Sequence, residues 1–146
     1  MTTVELQRDL PADPERVWRA LTDPAELAAW YWPERMAPAV ECDPVVGGAW
    51  RIASAPDGTA VGGRFLAVAR PLSLSWTWRW DGEEHESVVA VTLAPTAPEL
   101  DTPDGTRLHL LHDGLRPEDV GSHREGWVSC LDRLPAHLGA DGSERA

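Results

Sequence analysis

The chain has 146 residues, of which 42% are hydrophobic and 25% are charged, and its formal net charge at pH 7 is −11. A chain of this length and composition forms one globular domain with a sizeable core, which excludes disordered and fibrous classes. The negative charge argues against nucleic acid as a partner, because such affinity comes from Lys and Arg displacing counterions. No apolar run approaches the roughly 18 residues of a membrane span, and the N-terminus lacks the features of a signal peptide. We therefore expect no membrane partner and a cytoplasmic location.

A first strand is predicted over residues 3–11, TVELQRDLP, because apolar and polar residues alternate there as far as a proline. In the next segment, ADPERVWRALTDPAELAAWYWP, an aspartate precedes a proline at Asp13 and again at Asp23, and each pair is a helix start. Two short helices in tandem are therefore predicted, and the second ends at Pro33. Trp18, on the first helix, is expected to be half exposed.

Six further strands are predicted between about residues 39 and 114, because β-branched and aromatic runs alternate there with Gly, Pro and Asp. The runs are AVECDPV, GAWRIASA, AVGGRFLAVARP, LSLSWTWRW, ESVVAVTLAP and GTRLHLLHDG. The connection before the last run, APTAPELDTPDG, is rich in proline and acidic residues. It is typical of a solvated hairpin loop and suggests no function of its own.

The last segment, LRPEDVGSHREGWVSCLDRLPAHLG, predicts a long amphipathic helix. Ser122 and Glu125 have the spacing of a capping box, so the regular helix is expected to start near Ser122. Apolar residues recur at three- and four-residue steps and form one stripe: Val120, Trp127, Leu131, Leu134 and Leu138. Pro135 is expected to break or kink the helix near its end, and residues 139–146 to form a polar tail.

This order of elements predicts a single α+β domain over residues 1–146. A seven-stranded antiparallel sheet with one apolar face needs a cover, and only the C-terminal helix is long enough to provide it. The sheet is therefore expected to curl around that helix, with the two short helices between strands 1 and 2. Any part of the concave face that the helix leaves uncovered becomes a cavity between sheet and helix.

The stretch LSLSWTWRW, residues 72–80, is the most unusual in the chain, which has eight Trp but only one Tyr and one Phe. Alternate side chains of a strand share one face, so Trp76, Trp78 and Trp80 are expected to point together toward the concave side. The row spans about 13 Å at roughly 3.3 Å per residue, more than one crossing helix covers. One end of the row should therefore reach open space, with Trp78 and Trp127 as opposed walls.

The order of elements and several segments resemble the bacterial relatives of the activator of heat shock protein 90 ATPase, within the START-like, or SRPBCC, superfamily. The segments are PADPERVWRALTDPAELAAWYWP near the start, GTRLHLLHDGL, and above all HREGWVSCLDRLPAHL at 123–138. The resemblance covers nearly the whole chain and implies the helix-grip fold with an enclosed hydrophobic cavity. The wider superfamily includes lipid carriers, polyketide cyclases and antibiotic self-resistance proteins, and the fold alone does not choose among them.

The candidate ligand-binding residues are those expected around this cavity: Trp30, Trp32, Phe65, Trp76, Trp78, Trp80, Leu108, Leu110, His112, His123, Trp127, Cys130 and Leu131. His112, at the end of the seventh strand, and His123, at the start of the last helix, are expected to approach each other at the cavity mouth. Hydrogen bonds that tie the helix to the strand end are favoured over acid–base catalysis. No nucleophile motif, phosphate loop or metal-ligand spacing is present, so no catalytic residue, metal or cofactor is predicted.

The leading hypothesis is non-enzymatic binding of a hydrophobic, aromatic or polyketide-like small molecule. An alternative is antibiotic self-resistance, in which a polyketide or enediyne-type product is sequestered or consumes the protein. A third is a co-chaperone, for which the residues offer no support and which predicts a filled interior and an exposed apolar patch. A fourth is a polyketide cyclase, which requires polar groups that converge inside the cavity.

Overall fold

The computed structural model describes residues 2–96 and 105–143 of the chain. In chain order its elements are β1 (Val4–Leu10), α1 (Pro14–Thr22), α2 (Pro24–Trp30), β2 (Pro38–Cys42), β3 (Ala49–Ser54), β4 (Ala60–Ala69), β5 (Ser73–Trp80), β6 (Ser87–Thr96), β7 (Gly105–Asp113) and α3 (Val120–Ser143). Short 3-10 turns over Glu34–Met36 and Pro117–Asp119 precede β2 and α3. Most of the proline-rich connection between β6 and β7 lies outside the described residues.

The seven strands form one antiparallel sheet in the order β1-β7-β6-β5-β4-β3-β2. The sheet curls around α3, and the predicted helix-grip architecture with two short helices after the first strand is confirmed. The core lies between the concave face of the sheet and the buried stripe of α3, where Leu131, Leu134 and Leu138 are at most 2% exposed. None of the helices in the described part of the chain is both long and apolar enough to span a membrane.

The two short helices begin at the predicted Asp-Pro pairs. The side chain of Asp13 accepts a hydrogen bond of 2.8 Å from the backbone N–H of Arg16, and that of Asp23 accepts one of 3.0 Å from Glu26. Each bond satisfies one of the free N–H groups of a helix start, and the following proline lacks an N–H to satisfy. The sequence thus folds locally into two helices separated by a single residue.

Arg133 of α3 fixes the corner at which α2 ends. Its guanidinium donates to the carbonyl oxygens of Trp30 and Tyr31, at 3.0 and 2.6 Å. These carbonyls lie at the end of a helix, where no partner within the helix is available. Arg133 therefore sets the aromatic residues after α2 against α3, beside the open end of the core.

A second polar junction centres on Glu26, which connects all three helices. Its carboxylate accepts hydrogen bonds from Arg16 at 2.7 Å, Arg19 at 2.8 Å and His137 at 2.9 Å. Burial raises the pKa of this carboxyl group, but the hydrogen bonds from His137 and Arg16 lower it more, so that the pKa lies below its ordinary value. The ionised form of Glu26 therefore stabilises the fold at neutral pH.

Substitution Glu26→Gln is expected to lower the free energy of unfolding by about 1–2 kcal/mol, because charge-assisted hydrogen bonds are lost at a partly buried site. The matched control is Glu15→Gln, since Glu15 pairs with Arg70 and both side chains are more than half exposed. That change should stay within about 0.5 kcal/mol. Urea unfolding at pH 7 measures both, and equal losses would contradict the structural role of Glu26.

Helix α3 differs from the prediction at both ends. It begins at Val120 rather than near Ser122, because the 3-10 turn over 117–119 leads directly into it and the Ser122 hydroxyl donates back to the carbonyl of Asp119 at 3.1 Å. Of the expected break or kink at Pro135, the break does not occur, since the helix runs on to Ser143 through part of the expected tail. A proline inside a helix costs about 3 kcal/mol. The buried leucines on both sides of it contribute about 1.5–3 kcal/mol each and outweigh this cost.

Trp18 is buried, with 4% of its surface exposed, so the expectation that it is half exposed is wrong. The adjacent residues Val17 and Trp18 of α1 are both buried, together with Ala20. The buried face of α1 is therefore wider than one stripe. Trp50 is 3% exposed and belongs to the core.

Candidate functional site

The tryptophan row of β5 lies on the concave face of the sheet, as its alternation predicts. Trp76 and Trp78 are each 5% exposed, whereas Trp80, at the end of the strand, is only partly buried. The intervening Ser75 and Thr77 point to the other face. Burial thus falls off along the row, and the end that reaches open space is the Trp80 end.

The deep end of the row is closed. The ring of Trp50, from β3, has its centroid 5.4 Å from that of Trp76 and 5.4 Å from that of Trp78. The ring centroid of Phe65, from β4, lies 6.1 Å from that of Trp76. These rings pack against one another, and Trp76 is outside the lining of the cavity at the open end of the row.

At the open end lies a cavity of about 360 Å³, between the end of β5, the first half of α3 and the corner after α2. Its walls are aromatic and are formed by Tyr31, Trp32, Trp78, Trp80 and Trp127. Polar or small residues at its rim are Glu83, His85, Asp119, Ser122 and Gly126. Ser87, Leu115, His123 and Cys130 complete the lining. The cavity therefore has an aromatic interior and a polar mouth.

Trp78 and Trp127 are not opposed walls of this cavity, which corrects the prediction. Their ring centroids are 5.3 Å apart and their planes are tilted by 43°, so the two indoles are in direct contact. A helix packed on a sheet leaves a gap of about 10 Å, comparable to that between packed sheets, and two facing indoles fill it. Together they form one wall, and the open space lies beside them, toward Trp80 and Trp32.

Trp32 and Trp80 are stacked on each other at the mouth, with parallel rings. Their centroids are 6.4 Å apart and the angle between the planes is 5°. Both side chains are partly exposed. Trp78 stands nearly perpendicular to Trp80, at 87° and 5.7 Å, so indole rings border the space in two orientations.

His112 lies beneath the cavity and is completely buried. Its Nδ1 accepts a hydrogen bond from the indole N–H of Trp127 at 2.9 Å, and its Nε2 lies 2.7 Å from the hydroxyl of Ser87. Because Nδ1 accepts, the proton of the neutral ring is on Nε2 and is donated to Ser87. Burial, followed by repulsion from the nearby His123, lowers the pKa of His112 to about 3. The ring is therefore neutral at physiological pH.

His123 faces the cavity and has the opposite proton arrangement. Its Nε2 accepts from the indole N–H of Trp80 at 3.0 Å, so its Nδ1 donates to the backbone carbonyl of Asp119 at 2.8 Å. The rings of His112 and His123 are 5.2 Å apart and nearly perpendicular, which confirms that the two histidines approach each other. All four ring nitrogens are engaged in hydrogen bonds, so proton transfer would first have to break one of them.

The deeper walls of the cavity carry no charge. Burial raises the pKa of the Tyr31 hydroxyl well above its ordinary value, and it raises the pKa of the Cys130 thiol as well. Both groups are therefore protonated at neutral pH. Cys130 is a buried, free cysteine whose thiolate is disfavoured, so it is not an activated nucleophile.

The charged groups lie at the rim. Glu83 and Asp119 both bind Arg116, whose Nη2 donates to Glu83 at 3.0 Å and whose Nε donates to Asp119 at 2.8 Å. Arg116 itself is outside the lining, and within residues 2–96 and 105–143 no Lys or Arg side chain lines the cavity. The same described ranges contain no group of three or more His, Cys, Asp or Glu side chains that could hold a metal ion.

The structure brings six of the thirteen predicted site residues to the cavity: Trp32, Trp78, Trp80, His123, Trp127 and Cys130. The other seven are at most 5% exposed and lie outside its lining: Trp30, Phe65, Trp76, Leu108, Leu110, His112 and Leu131. Trp30, for example, directs its indole N–H to the carbonyl of Ala20 at 2.8 Å and so connects α2 to α1.

Sequence reasoning missed the rim residues and Tyr31. A usable signal was present for Glu83 and His85, because they follow the Asp81-Gly82 turn immediately after Trp80 and must flank the open end of the row. For Asp119 the corresponding signal is its place in the turn before α3. Both signals depend on knowing which end of the row is open, and the alternation of residues in β5 does not contain that information.

The sequence profile described as Activator of Hsp90 ATPase homolog 1-like protein matches residues 11–139. This match covers most of the chain, and the helix-grip fold agrees with it. The chain therefore belongs to that family. Among curated proteins, no significant match to the chain was found.

Solved structures of similar proteins agree with this assignment. Protein CV1439 from Chromobacterium violaceum is 32% identical, with a TM-score of 0.78 over 93% of this chain and 96% of that one. Protein MLL2253 from Mesorhizobium loti is 31% identical, with a TM-score of 0.78 over 94% and 97% of the two chains. DynU16, a protein in the dynemicin biosynthetic locus, is 23% identical, and the match covers 95% of this chain but 48% of DynU16, with a TM-score of 0.78. That last likeness is one of fold alone.

Proposed function

We propose that the protein binds, without chemical turnover, a hydrophobic small molecule with a planar ring system in the cavity at the end of β5. The observation that carries the proposal is the aromatic mouth, where Trp32 and Trp80 lie parallel and partly exposed beside an unfilled space of about 360 Å³. Cavities of roughly 300–1,000 Å³ with mostly apolar walls and a few polar groups are typical of small-molecule sites. A ring-containing ligand would cover indole surface that water now contacts.

The walls are held in place before any ligand arrives. The indole N–H of Trp80 is bound to His123, and that of Trp127 is bound to His112. Such fixed side chains lose little conformational freedom on binding, which favours affinity. Stacking of an aromatic ring on indole contributes about 0.5–1.5 kcal/mol per pair beyond the area that is buried.

The alternatives fit the geometry less well. A cyclase needs polar groups that converge on its substrate, whereas the nitrogens of His112 and His123 are already bound to protein partners. A co-chaperone of the expected kind needs a filled interior and an exposed apolar patch. Here the interior is open at one end. The large exposed apolar residues are distributed over the loop after β2, strand β4, the turn before β5 and strand β6: Val45, Val46, Leu66, Leu72 and Val88.

Self-resistance by sequestration is a second candidate, because it would use the same cavity for a polyketide or enediyne-type product. It is supported by the shared fold with DynU16, the protein in the dynemicin biosynthetic locus. The neighbouring genes separate this candidate from general ligand binding. A biosynthetic cluster for an aromatic polyketide or enediyne beside the gene would favour it, and its absence would remove that support.

Substitutions Trp80→Ala and Trp32→Ala are each expected to weaken binding of naphthalen-2-ylmethanol by about tenfold, since each removes one stacking surface and its apolar area. Their effect on stability should be modest, because both side chains are partly exposed. Isothermal titration calorimetry measures the affinity, and urea unfolding measures the stability of the same preparations.

The control is Leu72→Ala, which removes an exposed apolar side chain outside the cavity lining. It should leave the affinity for the probe unchanged. If Trp80→Ala and Trp32→Ala bind the probe as tightly as Leu72→Ala does, the ligand does not occupy this cavity and the proposal fails.

A further inference from the structure

We infer that the cavity selects ligands that carry a positive charge beside their ring system and discriminates against anions. This inference rests on the proposed function, because it concerns the ligand of the same cavity. It follows from the position of partly exposed indole rings beside two carboxylates that share one arginine at the same mouth.

The carboxylates of Glu83 and Asp119 line the mouth and share a single cation. Each uses one oxygen to accept a hydrogen bond from Arg116, and in the described residues the second oxygen accepts none. Two negative charges against one guanidinium leave one charge uncompensated. The side chains are 47% and 29% exposed, so a ligand at the mouth can approach either of them.

The two segments that border the mouth also carry more negative than positive charge. Residues 81–86, DGEEHE, and 117–119, PED, together carry six carboxylates. In the described part of the chain, Arg51 pairs with the carboxylate of Asp81, Arg116 pairs with those of Glu83 and Asp119, and Arg79 donates to the backbone carbonyl of Glu83. Six acids against three guanidinium groups leave a negative mouth on a chain whose net charge is already −11. A cleft lined with one sign of charge concentrates ions of the opposite sign.

The histidines at the mouth, His85 and His123, do not attract an anion through free N–H donors, because these donors are already hydrogen-bonded. His123 donates its Nδ1–H to the carbonyl of Asp119 while its Nε2 accepts from Trp80. His85 lies at the rim with its Nε2 at 2.7 Å from the carbonyl oxygen of Gly114, to which it donates. An incoming carboxylate or phosphate would therefore meet acidic side chains, and no arginine or lysine of the described residues is in the lining.

The indole rings are a second reason for the cavity to prefer a cation. A cation is attracted to the negative face of an aromatic ring within about 6 Å of its centroid, and indole is the strongest of the aromatic partners. Trp32 and Trp80 are parallel and partly exposed at the mouth, and Trp78 is perpendicular to Trp80. A protonated amine next to a planar ring would be held by the carboxylates while the ring lies against indole.

Three probes share the same ring system and differ in charge, so that their affinities measure the effect of charge. Naphthalen-2-ylmethylamine is a cation at pH 7.5, naphthalen-2-ylmethanol is neutral, and naphthalene-2-carboxylate is an anion. By calorimetry the wild-type protein is expected to bind the amine about threefold tighter than the alcohol and at least about tenfold tighter than the carboxylate. The difference between amine and carboxylate should shrink at high salt, because the charges at the mouth are partly exposed.

Substitutions that remove either a negative or a positive charge test whether these residues cause the preference for a cation. Glu83→Gln and Asp119→Asn should each weaken binding of the amine about threefold, whereas Arg116→Gln should strengthen it by removing the cation that the two carboxylates share. Binding of the neutral alcohol should change little in all three. The matched control is Glu41→Gln, an equal change of net charge on exposed β2, outside the cavity lining. It should leave the preference for the amine intact.

The two proposals fail in different ways. Binding of the alcohol without a preference for the amine over the carboxylate, or a preference that survives both Glu83→Gln and Asp119→Asn unchanged, would overturn the charge selection and leave the ring-binding function in place. Failure of all three probes to bind would overturn both.

Discussion

Replacing Trp78 with alanine is expected to lower the free energy of unfolding by about 3–5 kcal/mol, the full loss for a large buried aromatic side chain. The side chain is 5% exposed, although part of it lines the cavity. Its ring centroid lies between 5.1 and 6.2 Å from those of Trp50, Trp80, His112, His123 and Trp127. Alanine would therefore leave a void at the junction of β3, β5, β7 and α3.

The matched comparison is Trp80→Ala, two residues along the same strand and on the same face. Trp80 is partly exposed and has open space on one side, so its removal should cost distinctly less than that of Trp78. Urea unfolding at pH 7 gives both values, with equal slopes of free energy against denaturant as the check for a common transition. A Trp78→Ala variant as stable as Trp80→Ala would show that the wall behind the cavity is not packed as described.

Stability is expected to fall steeply below about pH 6.5, and His112 is one identifiable cause. In the unfolded chain a histidine ionises near pH 6.5. In the folded protein the pKa of His112 is lowered to about 3 by burial and by the neighbouring His123. Between these values the unfolded chain binds a proton that the folded chain does not. The contribution of the neutral ring is thus complete above about pH 6.5 and declines as the pH falls toward 3, by up to about 1.4 kcal/mol per pH unit.

The test compares the wild type with His112→Asn in urea at pH 7.5, 6 and 5. Asparagine keeps an acceptor on Cγ for the indole N–H of Trp127 but does not titrate. The variant should be less stable at pH 7.5, because the contact with Ser87 is lost. The slope of its unfolding free energy against pH should be smaller than that of the wild type, by the amount that corresponds to the uptake of about one proton on unfolding. Parallel curves for the two proteins would mean that His112 does not resist protonation in the folded state.

Much of the architecture follows from patterns in the sequence. The alternation in β5 places Trp76 and Trp78 on one face, and the Asp-Pro pairs at Asp13 and Asp23 start two helices. These patterns are local, since each depends on the geometry of one strand or one helix turn. The order of such elements then leaves only α3 to cover the sheet, which is why the fold was predictable.

The sequence predicted that an aromatic cavity exists between sheet and helix, but it did not predict where the cavity lies. Whether Trp78 and Trp127 face each other across a space or touch depends on the distance between β5 and α3, which no local pattern encodes. The same holds for Pro135, whose local preference is overruled by buried leucines on either side. The rim residues Glu83 and Asp119 come together from loops 36 positions apart in the sequence, through their common partner Arg116.

The most direct measurement follows the indole N–H signals of the protein, labelled with nitrogen-15 on tryptophan, during titration with naphthalen-2-ylmethanol. Each of the eight tryptophans gives one such signal, which single substitutions assign. Binding in the cavity predicts that the signals of Trp32 and Trp80 shift most, because a ring placed beside them changes their local magnetic field. The signals of Trp18 and Trp30, which lie outside this cavity, should stay in place. Saturable shifts of Trp18 or Trp30 as large as those of Trp32 and Trp80, or no shift of any of the eight, would contradict ligand binding at this site.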